Sequence, residues 1–157
     1  MAAAPEPVIN TTPSQSTLLY AAVSLVSLVG LGDAIYLTVE HLAGRSVICT
    51  IVSGCSEVLS SQYASLAGIP LAAVGAFAYF AVFSLATLAA FGYKGMGKPL
   101  AVIVTLMFLF SIWLFYLQAV VIKAFCQFCL LSALVTLILT ALVVAIRVRG
   151  GKRIAAQ

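Results

Sequence analysis

The sequence predicts an all-α membrane protein, a bundle of four transmembrane helices with an outer loop that carries a pair of cysteines. Three observations predict it. The first is composition: 64% of the 157 residues are hydrophobic and 8% are charged, where a soluble domain carries about 25% charged residues. So few charges cannot cover a water-facing surface, and a bilayer is the solvent that fits. The second is four long apolar runs, near 18–39, 69–91, 100–122 and 124–146. Each meets the roughly 20 residues that a ~30 Å hydrocarbon core requires. The third is that the cysteines gather outside the middles of these runs, near one end of the predicted bundle.

Residues 1–17 contain Pro5, Pro7 and Pro13 and no Lys or Arg. The basic segment of a cleaved signal peptide is therefore missing, and this stretch reads as a disordered tail. Leu18–Val39 forms the first span, as a helix, because a helix satisfies its own backbone groups in lipid. The stretch from Glu40 to Gly68 is too short for a separate soluble domain and reads as a loop. In the second span, Ala72, Ala73, Gly75, Ala76 and Ala78, with Gly68 before them, permit close helix approach, and Pro70 suits the first turn. The third span holds Trp113, Tyr116 and Gln118, read as packing or interfacial residues. The fourth completes a transmembrane domain over 18–147, leaving 148–157 as a basic tail.

Four spans place both termini on one side. With cytoplasmic termini, the inside holds Lys94, Lys98, Arg147, Arg149, Lys152 and Arg153 and the outside only Arg45 and Lys123, six against two. The positive-inside rule selects this orientation. The net charge of +4 is thus a topology signal. It forms no basic stripe of the kind that nucleic-acid binding needs.

In this orientation all four cysteines lie at the outer surface, where disulfides form and persist. Cys126-Gln127-Phe128-Cys129 is a C-x-x-C motif at the start of the fourth span. At helical spacing its Cα atoms are roughly 5 Å apart, within the range of a disulfide. The free N–H groups and dipole of a helix start favour a thiolate, and Lys123 adds positive charge. Three chemistries remain open for this pair: thiol–disulfide exchange, a static structural disulfide, and half of a metal site. Cys49 and Cys55 bracket Thr50 to Gly54, with a turn at Ser53-Gly54 that can bring them together. Alone they read as a loop staple; beside a second pair they read as one end of an electron relay. Four thiolates can also hold zinc, although the Cys49–Cys55 spacing is wider than usual metal-ligand spacing, and no metal site is expected.

The chain resembles the vitamin K epoxide reductase family, in its prokaryotic form. The residues that carry the resemblance are Gly32-Asp33-Ala34-Ile35-Tyr36-Leu37 with His41, Cys49, Cys55-Ser56-Glu57-Val58-Leu59-Ser60-Ser61, Gly68-Ile69-Pro70-Leu71 and Ile122 to Cys129. The order of the pairs, wide pair first and C-x-x-C second, is the reverse of that in the bacterial disulfide-bond formation protein B type. The resemblance implies that Cys126 and Cys129 are the pair beside a quinone, with Cys129 against it and Cys126 receiving electrons from the loop. It implies that Cys55 is the shuttle that attacks the Cys126–Cys129 disulfide and that Cys49 meets a thioredoxin-like partner. With Gln157 as the last residue, that partner is expected to be a separate protein. Animal members have a tyrosine where this chain has Ala133, which favours a quinone-linked role in disulfide formation over vitamin K epoxide reduction.

Asp33 lies in the outer half of the first span, where a quinone pocket is expected, and reads either as a proton relay or as a hydrogen bond between helices. Ser56 and Ser61, expected in a short helix after Cys55, either bond the loop to the bundle beside the quinone or are plain polar surface. His41 reads as interfacial. The expected function is a membrane thiol–quinone oxidoreductase whose acceptor is ubiquinone, menaquinone or a vitamin K-like quinone. The alternative is a metal-binding or structural four-helix protein with stapling disulfides.

Overall fold

Four helices among the described residues are long and apolar enough to cross a membrane: Gln15–Leu42, Leu71–Ala90, Gly97–Ile122 and Gln127–Gly150. The computed structural model describes residues 15–45, 47, 54–61, 63–66, 68–93 and 95–155. In chain order the elements are α1 (Gln15–Leu42), a short α2 (Cys55–Ser60), strands β1 (Ser65–Leu66) and β2 (Ile69–Pro70), α3 (Leu71–Ala90), α4 (Gly97–Tyr116) and α5 (Gln127–Ala155). The strands form a small antiparallel hairpin pairing Ser65 with Pro70 and Leu66 with Ile69.

The ends of these elements follow from local chemistry. Pro70 sits at φ −57° just before α3 and lacks an N–H, so it starts the helix without wasting a donor. The Leu71 N–H bonds back to the Ala64 carbonyl at 2.9 Å, which ties the hairpin to the helix. α4 widens into a π-helical stretch over Leu117–Ile122. That stretch ends at Lys123, whose left-handed φ of 55° stops helical hydrogen bonding. The chain therefore runs through Ala124, Phe125 and Cys126 before α5 begins at Gln127, rather than entering a helix at Ala124 as the apolar run suggests. α5 then continues past Ile146 to Ala155.

The bundle is apolar outside and closely packed inside. Phe77 is 77% exposed, Leu25 66% and Leu106 60%, large apolar side chains on surfaces that only lipid can solvate. The inner face of α1 is instead built of Ser24, Ser27, Gly30 and Ala34. Small residues let helices approach closely where lipid leaves no hydrophobic force to drive them together. A methyl group on Gly75 of α3 would stand 4.0 Å from the Ala34 Cβ, and one on Gly30 would lie 2.4 Å from the Tyr79 ring. The hydroxyls of Ser24 and Thr87 meet at 3.2 Å across the same seam. Two buried clusters result. One fills the middle of the bundle around Val23, Tyr79, Val82, Leu100, Val104 and Leu139. The other caps the end carrying α2 and the α4–α5 turn, and holds Leu37, Val47, Cys55, Val58, Ala124 and Cys126.

Candidate active site

Cys126 is the residue before α5, and its carbonyl accepts the Leu130 N–H at 3.0 Å, the first hydrogen bond of that helix. It therefore occupies the N-cap position, with Cys129 in the first turn. Both are free thiols here. The Cys126 sulfur receives a hydrogen bond from the Cys129 thiol and further ones from the backbone N–H groups of Cys129 and Phe128. These hold its pKa below the ordinary thiol value, at about 7, against burial that pushes it up. The structure supplies a support that the apolar pattern hid. Gln118, 4% exposed, accepts the Cys126 N–H on its Oε1 at 3.1 Å. The π-helical turn and the bend at Lys123 bring that amide across to the cysteine.

Cys55 opens α2, is 1% exposed and is disulfide-bonded. It shares one apolar cluster with Cys126, and Cys129 packs against that cluster. The two segments touch through Gly54. A methyl group there would fall 2.7 Å from the Phe125 carbonyl oxygen and 2.8 Å from its nitrogen. Gly54 has φ −126°, open to any residue, so glycine is needed for close backbone approach and not for its conformation. Cys49 and the Ser56 side chain lie outside the described residues.

Beneath the cysteines lies a cavity of about 440 Å³ between the helices. Cys129 lines it, as do Asp33, His41, Ser61, Tyr79 and Gln118, amid mostly apolar walls that include Leu37, Val58, Met107 and Leu114. Both Asp33 carboxyl oxygens are buried with no hydrogen-bond partner among the described residues. An orphaned carboxyl in an apolar setting is expensive in a membrane protein. Of the two readings for Asp33, the helix-to-helix hydrogen bond is thus not made. Ser61 reaches the cavity, but its hydroxyl donates to the Val58 carbonyl at 2.7 Å, closing the end of α2 rather than tying it to the bundle. His41, one residue before the end of α1, also lines the cavity wall.

Tyr79 escaped sequence reasoning. Its hydroxyl donates to the Ser132 carbonyl at 3.0 Å and lies 2.8 Å from the Ser132 hydroxyl and 3.0 Å from that of Thr136. This links α3 to α5 one turn beyond Cys129. A polar-tipped aromatic within a run of small residues was its only signal. For Gln118 the signal was a lone amide near the end of an apolar span. Among the described residues no group of three His, Cys, Asp or Glu side chains forms a metal site.

The helices, the cysteine-capped end and the cavity agree with one further finding, a match of residues 21–144 to the Vitamin K epoxide reductase family. The match covers most of the chain, and this protein belongs to that family.

Proposed function

We propose that this protein passes electrons from a thioredoxin-like thiol protein through Cys49 and Cys55 to Cys126 and Cys129, and from there to a quinone, in support of disulfide formation. Membership of the family makes it a membrane oxidoreductase surrounded by lipid, and the family in general uses a quinone. The observation that carries the finer reading is the grouping of three sulfurs. Cys55 and Cys126 share one buried cluster, and Cys129 connects that cluster to the apolar cavity.

The cavity's size suits a ring-sized ligand. Its apolar walls and orphaned Asp33 carboxyl suit a flat carbonyl compound that must be protonated as it is reduced. Residues that would hold it are Cys129, Asp33, Ser61 just after α2 and Ser56 in the first turn of α2. A quinone bound there supplies the acceptor for the two electrons and two protons that the Cys126–Cys129 dithiol gives up on closing to a disulfide.

The relay runs through four thiol–disulfide exchanges. A partner thiolate attacks Cys49 of a Cys49–Cys55 disulfide and expels the Cys55 thiolate; a second partner thiol resolves the mixed disulfide, so the partner leaves oxidised. The Cys55 thiolate attacks Cys126 of the Cys126–Cys129 disulfide and releases the Cys129 thiolate. Cys49 then attacks Cys55, which restores the loop disulfide and leaves Cys126 and Cys129 reduced. The state described above, with Cys55 bonded and Cys126 and Cys129 free, corresponds to this last point. The lowered Cys126 pKa makes it a good leaving group in the last exchange. Asp33 is the group placed to pass a proton on. Net flow needs a quinone more oxidising than the partner, with about 30 mV equivalent to 1.4 kcal/mol. The six-against-two distribution of Lys and Arg supports a reading with both termini in the cytoplasm and the cysteines on the outer face of a prokaryotic cytoplasmic membrane.

The test is anaerobic quinone reduction by purified protein with a reduced thioredoxin-like donor. Wild type should consume quinone, and Cys129→Ala should abolish consumption while the loop disulfide still forms. Retained turnover in that variant rejects the role of Cys129. Stoichiometric zinc or iron in active-site preparations that do not turn over would instead support the metal-binding alternative.

A further inference from the structure

A second cleft, of about 800 Å³, opens at the opposite end of the bundle between the start of α1, the start of α4 and the end of α5. The cysteine chemistry makes no use of it. Its floor includes the buried Leu100 and Val143, while Lys98, Arg147 and Arg149 line it from two different helices. The Arg147 guanidinium donates one hydrogen bond to the Gly97 carbonyl at 3.2 Å, which holds it across the cleft with four further N–H donors to offer. The half-buried Tyr20 adds a hydroxyl to the lining.

The protein brings no described counter-charge to this place. Of its four acidic residues, Asp33 lines the cavity beneath the cysteines, Glu40 pairs with Arg45 at 3.1 Å near the end of α1, and Glu57 lies on α2. Glu6 lies outside the described residues. A topology signal requires only that cations lie on one side of the membrane. It does not require them to converge from two helices on one concavity with an apolar floor.

We propose that this cleft binds an anionic phospholipid, its phosphate against Lys98, Arg147 and Arg149 and its upper acyl chain along the apolar floor. Charge complementarity selects an anion, and the apolar floor between membrane-spanning helices selects a lipid over a soluble phosphate. Basic pockets between membrane helices are suited to such headgroups, and each cation near an anionic lipid surface contributes about a fivefold preference.

The test is native mass spectrometry of the full chain in mild detergent, with phosphatidylglycerol and phosphatidylcholine of matched acyl chains. Wild type should retain phosphatidylglycerol in preference, and the Lys98→Gln/Arg149→Gln double variant should lose roughly 25-fold of that preference. Both side chains are exposed, so the fold should survive, and an unchanged quinone reductase rate of the variant verifies it. Arg45→Gln/Lys123→Gln, an equal change of charge away from the cleft, should leave the preference intact. Equal retention of the two lipids by wild type, or an equal loss in Arg45→Gln/Lys123→Gln, overturns the proposal. Displacement of the lipid by inorganic phosphate alone would show a soluble-anion site and overturn it as well.

Discussion

Gly54→Ala tests the close approach on which the relay depends. The new methyl group would stand 2.7 Å from the Phe125 carbonyl oxygen and 2.8 Å from its nitrogen, where ordinary contacts begin at 3.4 Å. The obstructing atoms are backbone on both sides, so no side chain can swing away. Restoring normal contact takes 3.4 − 2.7, or 0.7 Å, of separation between the Cys55 and Cys126 segments. Overpacking of this kind costs about 1–3 kcal/mol in stability. The larger effect is on exchange, since a misplacement of about 1 Å can cost on the order of 100-fold in rate. Partner-driven quinone reduction should therefore fall roughly 10- to 30-fold. Cys126 and Cys129 remain intact in this variant. Turnover with a small dithiol that reduces them directly should stay close to that of wild type. The comparison of the two donors separates a broken relay from a damaged site. A partner-driven rate within about twofold of wild type would refute the reasoning from Gly54.

Three further predictions address the same end of the molecule. Cys49→Ala should accumulate a Cys55–Cys126 mixed disulfide, because no loop thiol remains to resolve it; non-reducing peptide mass spectrometry that never finds this linkage rejects the shuttle order. Gln118→Ala leaves the buried Cys126 N–H without its acceptor and should destabilise the protein by about 1–3 kcal/mol in thermal unfolding, with an unchanged midpoint counting against the bond. The Cys126 thiol, held down first by the Cys129 thiol and then by helix N–H groups, should ionise as pH rises through about 7. Thiolate absorbance followed in a variant lacking Cys49 and Cys55 reads this directly. Adding Cys129→Ala removes the largest lowering contact and should move the midpoint upward, so a midpoint that does not move would sink the assignment of cause.

The sequence by itself determined the solvent of this protein, its four crossings and the end at which its cysteines sit. Those are properties of runs: apolar content, charge spacing and the position of Cys49, Cys55, Cys126 and Cys129 relative to the spans add up residue by residue along the chain. The helix start at the C-x-x-C motif was legible for the same reason, although its true first residue, Gln127, depended on the left-handed turn at Lys123. Asp33 was visible as a charge in an apolar run, but not that its carboxyl meets no hydrogen-bond partner among the described residues. Only tertiary structure decided that Gly54 lets Cys55 settle beside Cys126 and that Gln118 holds the Cys126 backbone. It also decided that Gly30 makes room for the Tyr79 ring above α5 and that a cavity opens under Cys129. Each of these is a meeting of groups far apart in the chain, set by how small residues let helices close on one another, and no local pattern of hydropathy encodes which groups will meet.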